Sequence, residues 1–275
     1  MPQSEQEIND ILTKAAKAGG EILKKYFETK LEINTKSSPG DYVTNADLES
    51  QAVIVKTLEK LMIEAGVPKN EIGFIGEESL NRQAKHTFII DPLDGTSFFA
   101  FGEEVFTVSI AYAENKIIKA GIVYQPTRNF WYFAEKNSGS FLYKDGKKTK
   151  LQIKYVPLSK SNVSLNIGSH VEGMRKILKI AYNLTSHVVR IRERGCISLS
   201  GSDLTLNNYN SFIHARAYLW DLAAVKIILE EAGGTMCDWQ GKEIDINWDE
   251  PNKKYELLLG EKRLIKEMLP YFRYE

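Results

Sequence analysis

A change of hydrophobic period near residue 72 constrains this chain more than any other feature. Before it, Ile8, Ile11, Leu12, Ala15, Ile22, Leu23, Tyr26 and Phe27 recur at spacings of three and four. That stripe predicts an amphipathic helix over 4–28. A second helix is expected over 45–65, with Leu48, Ala52, Val55, Leu58 and Met62 turned inward. After 72 the apolar runs shorten, and Phe74-Ile75 and Phe88-Ile89-Ile90 each break off in acidic residues. Segments 105–113, 117–124, 130–134 and 140–143 are rich in β-branched and aromatic residues and separated by turn signals. With Asp145-Gly146 as a hairpin turn, they read as an antiparallel meander. From about 155, helices (171–182, 199–208, 220–232, 261–272) alternate with strands (187–192, 212–216, 256–259), and Gly233-Gly234 stops the third of those helices. The expectation is an α/β protein of two packed lobes. An α+β lobe spans 1–154 and carries most of the acids of interest; an α/β lobe spans 155–275.

Composition narrows the function classes. The chain has 275 residues, 43% of them hydrophobic, enough to bury roughly three-quarters of its unfolded surface without staples. Lys plus Arg total 36 and Asp plus Glu total 36, so the broad basic field of a nucleic-acid binder is absent. Cys196 and Cys237 lie far apart and outside any CxxC or His/Cys cluster, which argues against a zinc site or a disulfide framework. No apolar run approaches the roughly 18 residues of a membrane span. The start, MPQSEQEIND, has no cationic region followed by an apolar one. A cytoplasmic protein with no membrane or nucleic-acid partner is expected; a homodimer is compatible with this pattern.

The most informative stretch is Ile89-Ile90-Asp91-Pro92-Leu93-Asp94-Gly95-Thr96. A buried strand delivers Asp91 at its end, Pro92 fixes the backbone, and Gly95 allows close approach of a ligand. Two carboxylates and a carbonyl can then aim at one point, with the Thr96 hydroxyl alongside, a set of hard oxygens that suits Mg²⁺. On local sequence alone, Asp94 capping a helix that begins at Thr96 reads equally well. Glu77 and Glu78 end another apolar strand. Asp47 and Asp221 each sit at a helix start, where the helix dipole alone favours an acid.

Together these blocks resemble the inositol monophosphatase superfamily of Mg²⁺-dependent, lithium-sensitive phosphatases. The matching residues are Lys36-Ser37-Ser38-Pro39 with Asp41 through Asp47, Phe74 through Ser79, Asp91 through Thr96, and Trp220-Asp221-Leu222-Ala223-Ala224 followed by Glu231-Ala232-Gly233-Gly234. They follow the family's order and spacing over nearly the whole chain. The resemblance implies a layered αβαβα sandwich with metals at the lobe junction. It implies two to three Mg²⁺ ions, held by Glu77, Asp91, the Leu93 carbonyl, Asp94 and Asp221. Thr96 and Asp47 would activate water, with Glu77 also in the catalytic set. The amides of Gly95 and Thr96 would hold phosphate, and Lys36 would lie near the third ion.

Specificity is where the chain departs from the family. A glutamate that contacts sugar hydroxyls in inositol-specific members is His214 here, and the turn before the next helix is Gly195-Cys196-Ile197. These residues, with Asp221, are the expected substrate contacts. The substrate expected is a small phosphorylated polyol, inositol monophosphate or a related sugar phosphate. Glu103 through Val108 instead resembles relatives acting on adenosine 3′,5′-bisphosphate, and a non-catalytic partner-binding protein on the same fold is a third reading. Arg190, Arg192 and Arg194 alternate along one strand and could steer an anion or form a solvated face.

Overall fold

The structure is a computed structural model that describes residues 5–27, 33–35 and 42–273. The first predicted helix is α1, Glu5–Phe27. A hairpin of β1 (Ile33–Thr35) and β2 (Tyr42–Thr44) leads into α2, Asn45–Glu64. The inward face of α2 is the predicted one at Leu58 and Met62, with Val55 half-buried, but not at its first turns. Leu48 is 52% exposed and Ala52 is exposed, whereas Ala46, Asp47, Ser50, Gln51, Ile54, Leu58 and Met62 are buried. The cause is polar: Ser50 Oγ donates to the Pro92 carbonyl at 3.1 Å and Gln51 Nε2 to that of Glu78 at 3.1 Å. An apolar stripe cannot reveal a face that buries hydrogen-bonded side chains.

The middle of the chain supplies β3 (Ile72–Gly76), β4 (Leu80–Arg82), β5 (His86–Asp94), a short α3 (Thr96–Ala100), β6 (Thr107–Glu114), β7 (Ile117–Gln125), β8 (Phe130–Glu135), β9 (Gly139–Lys144) and β10 (Lys147–Lys150). They form one sheet in the order β10-β9-β8-β7-β6-β5-β3-β4, antiparallel except where β3 meets β5. The meander is as expected, and Asp145 and Gly146, with φ of 51° and 74°, make its last hairpin turn. One detail differs: β5 does not stop at Asp91. Its pairing with β6 runs to Asp91↔Ser109, slips, and resumes at Asp94↔Thr107. Asp91 and Asp94 therefore flank a bulge inside a strand, a device that re-aims side chains.

The remainder supplies β11 (Asn162–Asn166), α4 (Val171–Leu184), β12 (Arg190–Glu193), α5 (Ile197–Asp203), β13 (Ser211–Ala217), α6 (Leu219–Glu231), β14 (Thr235–Cys237), β15 (Tyr255–Gly260) and α7 (Lys262–Met268). The sheet order is β12-β11-β13-β15-β14, with β11 parallel to both its neighbours. Neither β11 nor β14 is apparent from sequence. β11 alternates Asn162, Ser164 and Asn166 with two apolar residues, and its buried Ser164 is satisfied by donating to the Ser211 carbonyl at 3.0 Å.

Three apolar cores bind five layers. Leu12, Ile54, Leu58, Phe88 and Ile122 join α1 and α2 to the large sheet. Ile89, Val123, Trp220, Ile228 and Leu259 join its other face to α5, α6 and the small sheet. Val163, Ile177, Ile213, Leu264 and Met268 join the small sheet to α4 and α7. This is the expected αβαβα sandwich. β5 shows why its apolar run is unbroken: Phe88 and Ile90 face one core and Ile89 the other. α6 lies between the two sheets and is buried from Leu219 to Val225. It approaches β7 so closely that a Cβ on Gly121 would stand 2.8 Å from Ile227 Cγ2 and 2.9 Å from Ala224 Cα.

Gly121→Val should therefore push α6 off the sheet and displace Asp221. Overpacking of this kind costs about 1–3 kcal/mol, which in a chain this long lowers Tm by about 2–4 °C per kcal/mol. Thermal melts combined with activity test this; an unchanged Tm would show that the contact yields freely.

Candidate active site

The bulge in β5 and the start of α6 converge on one cleft of about 840 Å³, and the start of α2 lies behind it, joined through Thr96. Glu77, Asp91, Leu93, Asp94, Gly95, Thr96 and Asp221 all line it. Asp91 accepts the Leu93 amide at 3.0 Å. Asp94 reaches across to the start of α5, accepting from the amides of Ser198 at 2.5 Å and Ile197 at 3.2 Å, from Cys196 Sγ at 3.3 Å, and from the Ser198 hydroxyl. It is not a local cap, since the residue preceding α3 is Gly95 and no side chain caps that helix. Asp221 accepts the Tyr218 amide at 2.7 Å, as a first-turn acid does, and also lines the cleft.

Burial makes this acidic cluster costly. Burial, then Glu77, Asp94 and Asp221, push Asp91 well above the usual carboxylate range. Burial, then Asp94, does the same to Asp221, eased by hydrogen bonds from the Tyr218 amide and from Asp91. Burial raises Asp94 too, against the opposing pull of the donors on α5. Beside them, Asp47, Glu77 and Glu78 each place a carboxylate oxygen within 4.8 Å of the others. Carboxylates and a carbonyl are hard donors, and like charges held this close favour a bound divalent cation over solvent. The residues fit such an ion.

Next to the acids, Thr96 Oγ1 lies 3.0 Å from the Leu93 carbonyl and 3.3 Å from Asp47 Oδ1, and Asp47 is fully buried. Gly95 holds φ of 93°, and a Cβ there would meet the Val105 carbonyl oxygen at 2.4 Å, so the backbone turns here only with glycine.

The far wall comes from the small sheet. His214 lines it, 8% exposed, its pKa pushed down to about 4 by burial against the pull of the Arg216 and Asn166 carbonyls. Cys196 lines the cleft with its thiol toward Asp94. Gly195 is packed under Phe98, whose ring would lie 1.8 Å from an added Cβ. Lys36 lies outside the described residues. The arginines of 190–194 do not form one cleft-facing row. Arg194 pairs with Asp203 at 2.7 Å, and Arg190 and Arg192 are exposed and away from the lining. Sequence reasoning passed over Ser198, Arg216 and Lys254. Only Arg216 carried a signal, since it sits two residues beyond His214 and so on the same strand face.

The model of the inositol monophosphatase family matches residues 4–268. The chain belongs to that family. It is accordingly a metal-dependent phosphomonoesterase. Pig inositol monophosphatase 1 is 30% identical over 271 residues, covering 96% of this chain and 94% of that one. A Thermotoga maritima protein named fructose-1,6-bisphosphatase/inositol-1-monophosphatase is 29% identical over 239 residues, covering 85% and 86%. The solved structure of a Thermotoga maritima IMPase superposes with a TM-score of 0.82 at 26% identity, covering 98% of this chain and 97% of that one.

The family's metal dependence sets up a stability test. Unfolded, Asp91 titrates near the ordinary value of about 3.9; folded and metal-free, it titrates higher. Below about pH 4 both states hold the proton and nothing is lost; as pH rises through the folded value, the metal-free fold loses stability. Asp91→Asn cannot ionise. In chelator its Tm advantage over the parent should be absent near pH 4 and grow toward pH 7, then reverse in saturating Mg²⁺. An advantage independent of pH would refute the repulsion.

Proposed function

We propose that this phosphatase hydrolyses a small phosphorylated polyol, inositol monophosphate or a related sugar phosphate, with two to three Mg²⁺ ions. The observation carrying the reading is that Asp91, Asp94, Asp221, Glu77 and Thr96 line one cleft, with Asp47 buried behind Thr96 at 3.3 Å from its hydroxyl. Glu77, Asp91, the Leu93 carbonyl, Asp94 and Asp221 would hold the ions. Bound there, Mg²⁺ neutralises the phosphate dianion, acidifies water and stabilises the leaving oxygen.

The chain's own groups do the rest. Thr96 Oγ1 accepts a proton from the attacking water as its own proton passes to Asp47, whose burial leaves it no competing solvent. Donation to the Leu93 carbonyl holds the hydroxyl in place until then. The amides of Gly95 and Thr96, at the open start of α3, donate to phosphate oxygens. The donors at the start of α5 favour the ionised form of Asp94 against its burial and fix its orientation.

Turnover of inositol 1-phosphate with Mg²⁺, abolished by chelator, is the primary expectation; absence of metal-dependent turnover on any monoester would defeat the reading. Thr96→Ala should lower kcat by about 10²–10⁴ with Mg²⁺ affinity, measured by calorimetry, little changed. A loss mainly of metal affinity would move Thr96 from proton transfer to ligation. Inhibition by millimolar Li⁺ is expected beyond that of matched Na⁺; equal effects of the two salts would remove lithium sensitivity.

Residue 214 tests the substrate. A buried neutral imidazole cannot accept two hydroxyl hydrogen bonds as a carboxylate does. His214→Glu should raise kcat/KM for inositol 1-phosphate relative to a non-cyclic phosphate such as glycerol 2-phosphate. No change in that ratio would place residue 214 away from the leaving group.

A further inference from the structure

The donors that meet Asp94 stand on an element that cannot hold its own shape. α5 has seven residues, Ile197–Asp203, too few for a helix to be stable by itself. The residue before it, Cys196, takes φ of 54° and ψ of 92°, a backbone region that residues with a Cβ rarely occupy. The start of α5 is met from the large sheet at one point, where Thr107 Oγ1 lies 2.8 Å from Ser198 Oγ. One point fixes a position and not a direction. The amides of Ile197 and Ser198 reach Asp94 only while the helix keeps its direction as well. The apolar contacts of Leu199 and Leu204 are non-directional and cannot supply it.

A second anchor stands at the far end of α5. Asp203, its last residue, accepts the Tyr132 hydroxyl at 2.6 Å, and Tyr132 is fully buried on β8 of the large sheet. The other oxygen of Asp203 accepts from Arg194 Nη2 at 2.7 Å. Arg194 precedes the Gly195-Cys196 turn, and its amide donates to the Leu165 carbonyl of β11 at 2.8 Å. The ion pair therefore closes residues 194–203 into a loop tied to both sheets. Inside that loop the Arg194 guanidinium lies 5.0 Å from the Tyr209 ring centroid, Tyr209 donates to the Ser200 carbonyl, and Ser200 Oγ donates to the Gly195 carbonyl at 2.7 Å. Stability alone does not call for such a pair. Burial pushes Asp203 above its ordinary pKa despite the hydroxyl and the guanidinium, and Arg194 Nε is buried without a hydrogen-bond partner. Apolar residues of the same volume often serve a core as well or better.

We propose that Arg194 and Asp203 are positioning residues for the metal centre: their pair, anchored on Tyr132, sets the direction of α5 and thereby the donors that orient Asp94. Neither side chain touches substrate or metal. The inference rests on the reading that Asp94 holds an ion, and it gives the arginine nearest the cleft a role other than steering an anion.

The test follows Mg²⁺ rather than turnover alone, using calorimetric titration with Mg²⁺, the Mg²⁺ dependence of inositol 1-phosphate hydrolysis, and thermal melts. Asp203→Asn should weaken Mg²⁺ binding by about tenfold or more, the usual scale for losing support behind a metal ligand. Its KM for substrate at saturating Mg²⁺ should stay within about twofold of the parent. Arg194→Lys should keep part of the Mg²⁺ affinity. A triple variant, Tyr132→Phe, Arg194→Met and Asp203→Leu, replaces the network by apolar groups. Its Tm should stay within about 4 °C of the parent, the shift that about 1–2 kcal/mol gives in a chain of this length, while its Mg²⁺ affinity falls as in Asp203→Asn. Parent-like Mg²⁺ binding in Asp203→Asn or in the triple variant would overturn the proposal and leave the pair a structural one. Loss of fold in both would do the same. A parent that binds no Mg²⁺ would strike the underlying reading, and the positioning role with it.

Discussion

Mutual repulsion among buried carboxylates is the constraint around which this molecule is organised. Asp91, Asp94 and Asp221 are each under a tenth exposed; Asp94 and Asp221 both raise the proton affinity of Asp91, and Asp94 raises that of Asp221. Left alone, such a group would relax apart or protonate. Here the acids come from rigid elements that cannot move independently: a bulge in the middle of an eight-stranded sheet, and the first turn of a helix clamped between two sheets. Donors converging on Asp94 from α5 fix the one carboxylate that crosses between layers. Rigidity of the surrounding cores is what keeps the charges together for a cation.

The same constraint explains the polar face of α2. Asp47, Ser50 and Gln51 are buried because they support the site, through Thr96, the Pro92 carbonyl and the Glu78 backbone respectively. A helix serving only stability would place Leu48 there. Instead Leu48 faces outward, and the helix relies on Ile54, Leu58 and Met62 for its anchorage.

What was legible in the sequence is what is encoded locally. The run Ile89 through Thr96 announces a buried strand, a turn and two acids within eight positions. The meander and the alternating second half follow from period and turn residues. The outward turn of Leu48 was not legible, because hydrogen-bonded polar burial has no periodic signature. Nor was β11, whose buried Ser164 is satisfied by a carbonyl far along the chain. Asp94 shows the limit best: a local reading makes it a helix cap, while its actual donors lie over a hundred residues away. Arg194 shows the converse, drawn from an apparent row of arginines by Asp203 and the Tyr209 ring.

The layering also divides labour. The acids and the Thr96–Asp47 pair sit on β5, α2, α6, the start of α3 and the turn after β3, elements packed into cores on both sides of the large sheet. The facing wall consists of strand ends and loops of the small sheet. Substitutions on that wall can accumulate without disturbing the acids, so such a scaffold can trade one phosphate ester for another while its hydrolytic machinery stays fixed. Divergence in substrate is then the inexpensive evolutionary path, and divergence in chemistry the expensive one.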